Sequence, residues 1–207
     1  PPSSFVDIFE KNRFCSKLDF YMLKKAIQQI RKWIDMGINP VNISVNQSKI
    51  VFYHENYISE LKSLLEEYNV SGSYITLEVL ESTVIEDIDI FNSILTEVKK
   101  LGFSVSLDDF GSGYSSLNVL SKLQIDELKI DRIFLHTKSE VDNQRTKWIL
   151  ESIIDIAKKS QILVVVEGVE SKQDDLFIKN LGADVGQGYF YGRPLSISAF
   201  NDLIETK

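Results

Sequence analysis

A chain of 207 residues, 43% of them hydrophobic, is long enough to bury one substantial core, and its length suggests a single domain. A net charge of −7 argues against the basic stripe that a polymeric nucleic acid requires, while a small anionic ligand stays possible if metal ions neutralise it locally. The single cysteine, Cys15, excludes an internal disulfide and a cysteine-based metal site and fits a reducing, cytoplasmic setting, although a parent protein could still be membrane-tethered. No apolar run approaches ~18 residues, so no membrane span is expected.

The opening PPSSFVDIFEKNRF has no signal-peptide core and no initiator Met, so further sequence is expected upstream. A first helix is predicted from Ser16 to Met36, with an apolar stripe at Leu23, Ala26, Ile27, Ile30, Trp33 and Ile34. Ser16 and Asp19 suit a capping box there, and Gly37 a stop. A short strand, Asn42–Asn46, precedes a helix over Tyr57–Tyr68 with Leu61, Leu64 and Leu65 on one face. Then come a strand at Tyr74–Val79, a helix at Ile88–Leu101 closed by Gly102, and a strand in FSVSLDD. A short helix over Tyr114–Lys122 leads to a strand at Asp126–Asp131, and a helix over Asn143–Lys159 to a buried strand at Ile162–Gly168. A helix over Ser171–Leu181, capped by Ser171 and Asp174, a short strand at Asp184–Tyr189 and a helix from Ser196 complete the pattern.

Six strands, each followed by a helix, predict a parallel sheet with helical crossovers. An open doubly wound sheet and a (βα)₈ barrel both fit. Asn46, Glu78, the Asp108–Asp109 pair, Lys129 with Asp131, Glu167 and Gln187 each fall at the C-terminal end of a different strand. An open sheet draws its ligands from a few strands near the switch point, whereas a barrel points every strand end into one mouth. The distribution therefore favours a barrel with about two strands lying upstream of Pro1.

Acids from several strands, with an amide and without clustered His or Cys, select hard cations such as Mg²⁺, Mn²⁺ or Ca²⁺. Two adjacent carboxylates can coexist if cations sit between them, and a carboxylate bridging two metals serves in-line displacement at phosphorus. Lys129 could orient the attacking water, and Glu167 could take its proton. Taken singly, each residue has a plainer reading: an Asp-Asp after a strand is usually a turn or cap, a strand-end Glu a salt-bridge partner, Asn46 a turn residue. The joint pattern across six strands carries the functional reading. His54 and His136 read as surface residues, and Arg193 as a lock on the last turn.

The motifs DDFGSGYSSL, ELKID, VVEGVE and QGYFYGRPL, in this order and spacing, resemble the EAL-domain phosphodiesterases of bacterial cyclic di-GMP signalling, and the resemblance covers essentially the whole chain. It implies an α/β fold, a modified TIM barrel here lacking about its first two strands, so that residues 1–207 form a partial domain. It implies hydrolysis of cyclic di-GMP to linear pGpG with Mg²⁺ or Mn²⁺ in a two-metal site. By the same resemblance Asn46, Glu78, Asp108, Asp109, Glu167 and Gln187 are metal-site residues. Asp109, Lys129 and Glu167 are catalytic, Glu81 anchors the loop after the Asp pair, and Asp131 and Glu170 lie near the guanine base. The loop Phe110–Ser116 resembles a regulatory loop coupled to a homodimer face, and a fused GGDEF or sensor domain in the parent fits the family. The Glu-Ala-Leu signature itself is absent; the family places it just upstream, with a metal-binding Glu and a nearby phosphate-contacting Arg. Leu80 replaces a usual Thr, and Gln47 follows Asn46 where an aliphatic residue is common. A cyclic di-GMP receptor without activity, and a different metal-dependent phosphodiesterase or aldolase-like barrel, are the competing readings.

Overall fold

The structure, a computed structural model, describes residues 15–81, 88–112, 117–135 and 140–205. His136 and most of the loop beyond Ser112 lie outside the described residues. The chain divides into two compact units, 1–106 and 107–207. Six strands follow chain order in one sheet, and the pairs described are parallel, as the alternation of strand and helix predicts.

The first unit begins with helix α1 (Cys15–Asp35). Its stripe at Leu23, Ala26, Ile27, Ile30 and Trp33 is buried as expected. The capping box expected of Ser16 and Asp19 does not form. Ser16 lies within the helix, and the Asp19 carboxylate instead accepts from the Ser48 N–H at 2.9 Å and from its hydroxyl. Strand β1 (Ile43–Asn46), a short helix α2 (Lys49–Phe52) that the sequence pattern did not suggest, and α3 (Tyr57–Tyr68) follow. Helix α3 keeps the expected bounds and ends at Asn69, in the left-handed conformation at φ 49°. Strand β2 (Ile75–Leu80) pairs with β1 so that Ser44 faces Thr76 and Asn46 faces Glu78. Ile43, Val45, Ile75 and Leu77 take the other side. Helix α4 (Ile88–Lys100) buries Phe91, Leu95 and Val98.

Strand β3 (Ser104–Phe110) crosses the boundary between the units. In the second unit come α5 (Leu117–Lys122), β4 (Glu127–Ile130), α6 (Glu140–Lys159), β5 (Leu163–Val166), α7 (Lys172–Leu181), β6 (Val185–Gly186) and α8 (Ile197–Glu205). Strand β5 reads as a continuous apolar run because its side chains at Val164, Val165 and Val166 are all buried, as a parallel strand covered on both faces requires. The capping box at Ser171 and Asp174 forms as expected, each side chain accepting from the other residue's N–H.

Leu77 is fully buried in the middle of β2. Leu77→Ala should lower the free energy of unfolding by ~2–5 kcal/mol, read as a shift of the urea midpoint at unchanged slope. A shift corresponding to less than ~1 kcal/mol would mean that the apolar face of β2 is not the packed core described here.

Candidate active site

Strand β3 delivers the acidic pair. Val105, Ser106, Leu107 and Asp108 are buried, and regular pleating would send Asp109 to the face opposite Asp108. The backbone breaks that alternation at Asp109, whose φ is 56°, in the left-handed region that Asp and Asn enter more readily than other non-glycine residues. The Asp109 carbonyl then accepts from the Ser112 N–H at 3.1 Å and the Ser112 hydroxyl at 2.8 Å, closing a turn through Gly111 at φ 97°. As a result, carboxylate oxygens of Asp108, Asp109 and Glu167 lie within 4.8 Å of one another.

Strands β4 and β5 complete the cluster. Lys129 stands opposite Val165, so Glu167, two residues further on, projects to the side on which Lys129 projects. The Glu167 N–H donates to the Ile130 carbonyl at 2.9 Å, continuing the ladder past the strand. The buried Lys129 Nζ lies 2.6 Å from Glu167 Oε1 and 2.9 Å from Asp108 Oδ1. The second is an ion pair without hydrogen-bond geometry, and buried Asp108 Oδ1 has no hydrogen-bond donor among the described residues. Burial, then the neighbouring charges of Asp108, Asp131 and Glu167, push the Asp109 carboxyl above its usual range, partly opposed by Lys129. Three carboxylates and one ammonium leave the cluster two negative charges in excess, the charge that one divalent cation would cancel. The donors are all oxygen, which suits a hard cation.

The other expected residues are placed as follows. Asp131 is half-buried; its N–H donates to the Phe110 carbonyl at 3.2 Å, and its Oδ1 accepts from the Ile133 N–H at 2.7 Å, capping a 3₁₀ turn, Arg132–Phe134. Gln187 follows the Val166–Gly186 pair, with its N–H on the Val166 carbonyl at 2.9 Å, which places it beside Glu167 at the strand ends; its side chain is exposed. Glu170 is exposed, and its N–H donates to Asp174 Oδ2 at 3.1 Å. In the first unit, Asn46 and Glu78 are register partners, the former exposed and the latter buried, and Glu81 is buried just beyond β2. Gln47, the departure from the family pattern, is buried; its amide donates to the Asn46 carbonyl at 3.0 Å and accepts from the Tyr57 hydroxyl at 3.2 Å. His54 is exposed, 3.7 Å from Glu60. Arg193 lies over the Tyr189 ring at 5.0 Å, as a lock on the last turn should. Sequence reasoning missed the turn Arg132–Phe134; its only trace was the glycines that follow the two acidic motifs, Gly111 and Gly168.

The segment after β6 is held to α7 by Tyr191. Its hydroxyl donates to Asp175 Oδ1 at 2.6 Å and covers Gly186, where any Cβ would strike it. That bond raises the Tyr191 phenol to about 12 and, with Lys179, holds Asp175 below the usual carboxylate range.

A parallel α/β fold with an oxygen-only acidic cluster at its strand ends defines a barrel-class protein with a candidate hard-cation site. The chain belongs to the EAL domain family, whose model matches residues 1–194. It is 34% identical over 194 residues to the bifunctional diguanylate cyclase/cyclic di-GMP phosphodiesterase MucR of Pseudomonas aeruginosa, covering 94% of this chain and 28% of that protein. It is 31% identical to the cyclic di-GMP phosphodiesterase PdeR of Escherichia coli, covering 97% of this chain and 30% of that one. The chain thus spans about three-tenths of the length of these curated relatives. Among solved structures, it superposes on the MucR phosphodiesterase in complex with cyclic di-GMP with a TM-score of 0.86 at 33% identity, covering 96% of this chain and 80% of that one. The EAL enzyme Bd1971, in a form with cAMP and cyclic di-GMP bound, gives 0.88 at 30% identity, covering 98% and 55%. The expected fold, the modified TIM barrel of EAL domains, is the one found.

The Tyr191–Asp175 bond has a definite pH signature. The phenol's folded value is raised, so its contribution is complete below about 10 and is lost as pH climbs through about 12. The Asp175 value is depressed, so its contribution is present above about 4 and is lost as pH falls below that. The stability gap between wild type and Tyr191→Phe, followed by thermal melts across pH, should be widest between these limits and shrink at both ends. A gap independent of pH would show that the bond is not made in solution.

Proposed function

We propose that the chain carries the active site of a cyclic di-GMP phosphodiesterase, in which water adds across one phosphodiester bond to give linear pGpG. The observation that carries the reading is the convergence of Asp108, Asp109 and Glu167 around Lys129. Family membership and the printed activities of MucR and PdeR support the choice of substrate. The excess negative charge and oxygen donors fit Mg²⁺ or Mn²⁺, held by Asp108, Asp109 and Glu167; Asn46, Glu78 and Gln187 are proposed as further ligands on the family resemblance. When bound, such cations lower the pKa of water and stabilise charge at phosphorus.

The chain's own groups do the rest. Lys129, pinned between two carboxylates, presents a fixed positive charge to a water or a phosphate oxygen. Glu167 is proposed to take the proton of the attacking water, and the proton count closes when the leaving 3′ oxygen acquires one. Asp131 and Glu170 are proposed beside the guanine base and Glu81 as a loop anchor, again on the resemblance; Asp131 already uses Oδ1 to cap the turn.

The test is incubation with cyclic di-GMP and Mn²⁺, with chromatographic detection of pGpG. Lys129→Met should slow product formation by ~10²-fold or more, the scale of losing a preorganised charge at the reacting centre. Unchanged turnover in Lys129→Met would contradict the assignment. Tight binding of cyclic di-GMP with no pGpG formed would instead favour the receptor reading.

The relatives' printed names include a diguanylate cyclase function and an oxygen sensor, which supports a GGDEF or sensor partner in the parent protein. A homodimer is supported by large apolar side chains left exposed on the second unit: Trp148 and Ile149 of α6, 59% and 52% exposed, and Ile133, 55% exposed. Trp148→Glu should shift the chain towards monomer in light scattering. The same mass distribution for both proteins would place the dimer contact elsewhere.

A further inference from the structure

The turn Arg132–Phe134 touches both acidic strand ends. A Cβ on Gly111, two residues after Asp109, would land on the Phe134 ring. A Cβ on Gly168, the residue after Glu167, would land on Arg132 Cβ. Both glycines have positive φ, 97° and 70°, so each bends the chain at the point where the turn is packed against it. The turn is fixed at its start by Asp131, through the cap to Ile133 and the backbone bond to Phe110. A half-buried phenyl ring therefore sits against the only backbone path leading from Asp109 into its loop.

We infer that Phe134 is a positioning residue. Its ring, packed on Gly111, holds Asp109 in the left-handed conformation that turns the Asp109 carboxylate to the side of Asp108 and Glu167. A left-handed backbone is strained at a non-glycine residue, and such strain persists only where surrounding structure over-determines it. The Ser112–Asp109 turn supplies one restraint. The Phe134 wall supplies the other, because it closes the space into which Gly111 would swing if Asp109 relaxed to an extended conformation. Phe134 acts through Gly111, which its ring covers, and so through Asp109. The inference rests on the reading of the acidic cluster as a cation site for its functional consequence, but not for its geometry.

The test uses the full chain and two independent readouts. Asp109 Cα and Cβ chemical shifts report its backbone conformation without any metal. Mn²⁺ titration followed by electron paramagnetic resonance reports the cluster's affinity. In Phe134→Ala, the Asp109 shifts should move from left-handed to extended values, and Mn²⁺ affinity should fall by ~10–100-fold, the usual cost of losing a group that orients a ligand. Phe134→Leu, which refills the space, should restore both in large part. If Phe134→Ala does not fold, Gly111→Ala attacks the same contact from the other side and should move Asp109 likewise. A buried side chain with a structural role alone would lower the melting temperature and leave the Asp109 shifts in place. Left-handed Asp109 shifts in a folded Phe134→Ala variant would overturn the inference whatever Mn²⁺ does. Shifts that move in a protein that binds no Mn²⁺ even as wild type would uphold the positioning role and sink the cation-site reading.

Discussion

Successive side chains of a β-strand point to opposite faces, so neighbouring aspartates share a site only if the backbone breaks between them. Here the break is a single left-handed residue, Asp109. Without it, Asp108 would lie among the buried residues of β3 with Lys129 as its ion-pair partner, and Asp109 would face away. With it, three carboxylates converge into a cluster that could hold a cation. The features around β3 follow from this requirement: the Ser112 turn that holds the bend, the glycine that lets the chain leave it, and the aromatic ring that closes the space behind.

The electrostatics have the same origin. Burial first, and then the like charges gathered beside it, raise the Asp109 carboxyl. One lysine offsets part of this rise, lying between Asp108 and Glu167 at hydrogen-bonding distance. It cannot offset all of it, because three acids surround one base. A protein that wanted only a stable core would replace such a group with apolar residues, since buried ion clusters contribute little to stability and lose much when one member is removed. A cluster with two negative charges in excess at the ends of parallel strands is what the proposed cation site would require.

Much of this was legible in the sequence. The period of apolar residues gave α3 its bounds and β5 its burial, and Ser171 with Asp174 announced a cap that the structure contains. The acids and the lysine were marked by their position at strand ends, and strand register brings Lys129 and Glu167 to one side, whereas Asp109 joins them only through its left-handed backbone. What was not legible depended on contacts between segments distant in sequence. Asp19 looked like a cap because Ser16 precedes it, yet its partner is Ser48, which no local pattern could indicate. The short helix α2 is four residues long, too short for periodicity to register. Asp131 was marked only as a strand-end acid beside Lys129, yet one of its oxygens caps the next turn. Phe134 carried no signal at all, because its role depends on a glycine twenty-three residues earlier in the chain.

The central claim is that Asp109, turned by its backbone to join Asp108 and Glu167, makes a divalent-cation site. Calorimetric titration of Mn²⁺ into the chain and into Asp109→Asn tests it most directly, since asparagine preserves the left-handed preference and removes only the charge. Saturable binding by the wild type is expected, with a loss of affinity of ~10-fold or more in the variant and the fold retained. Equal affinity in both proteins, or no binding by the wild type at millimolar Mn²⁺, would contradict it.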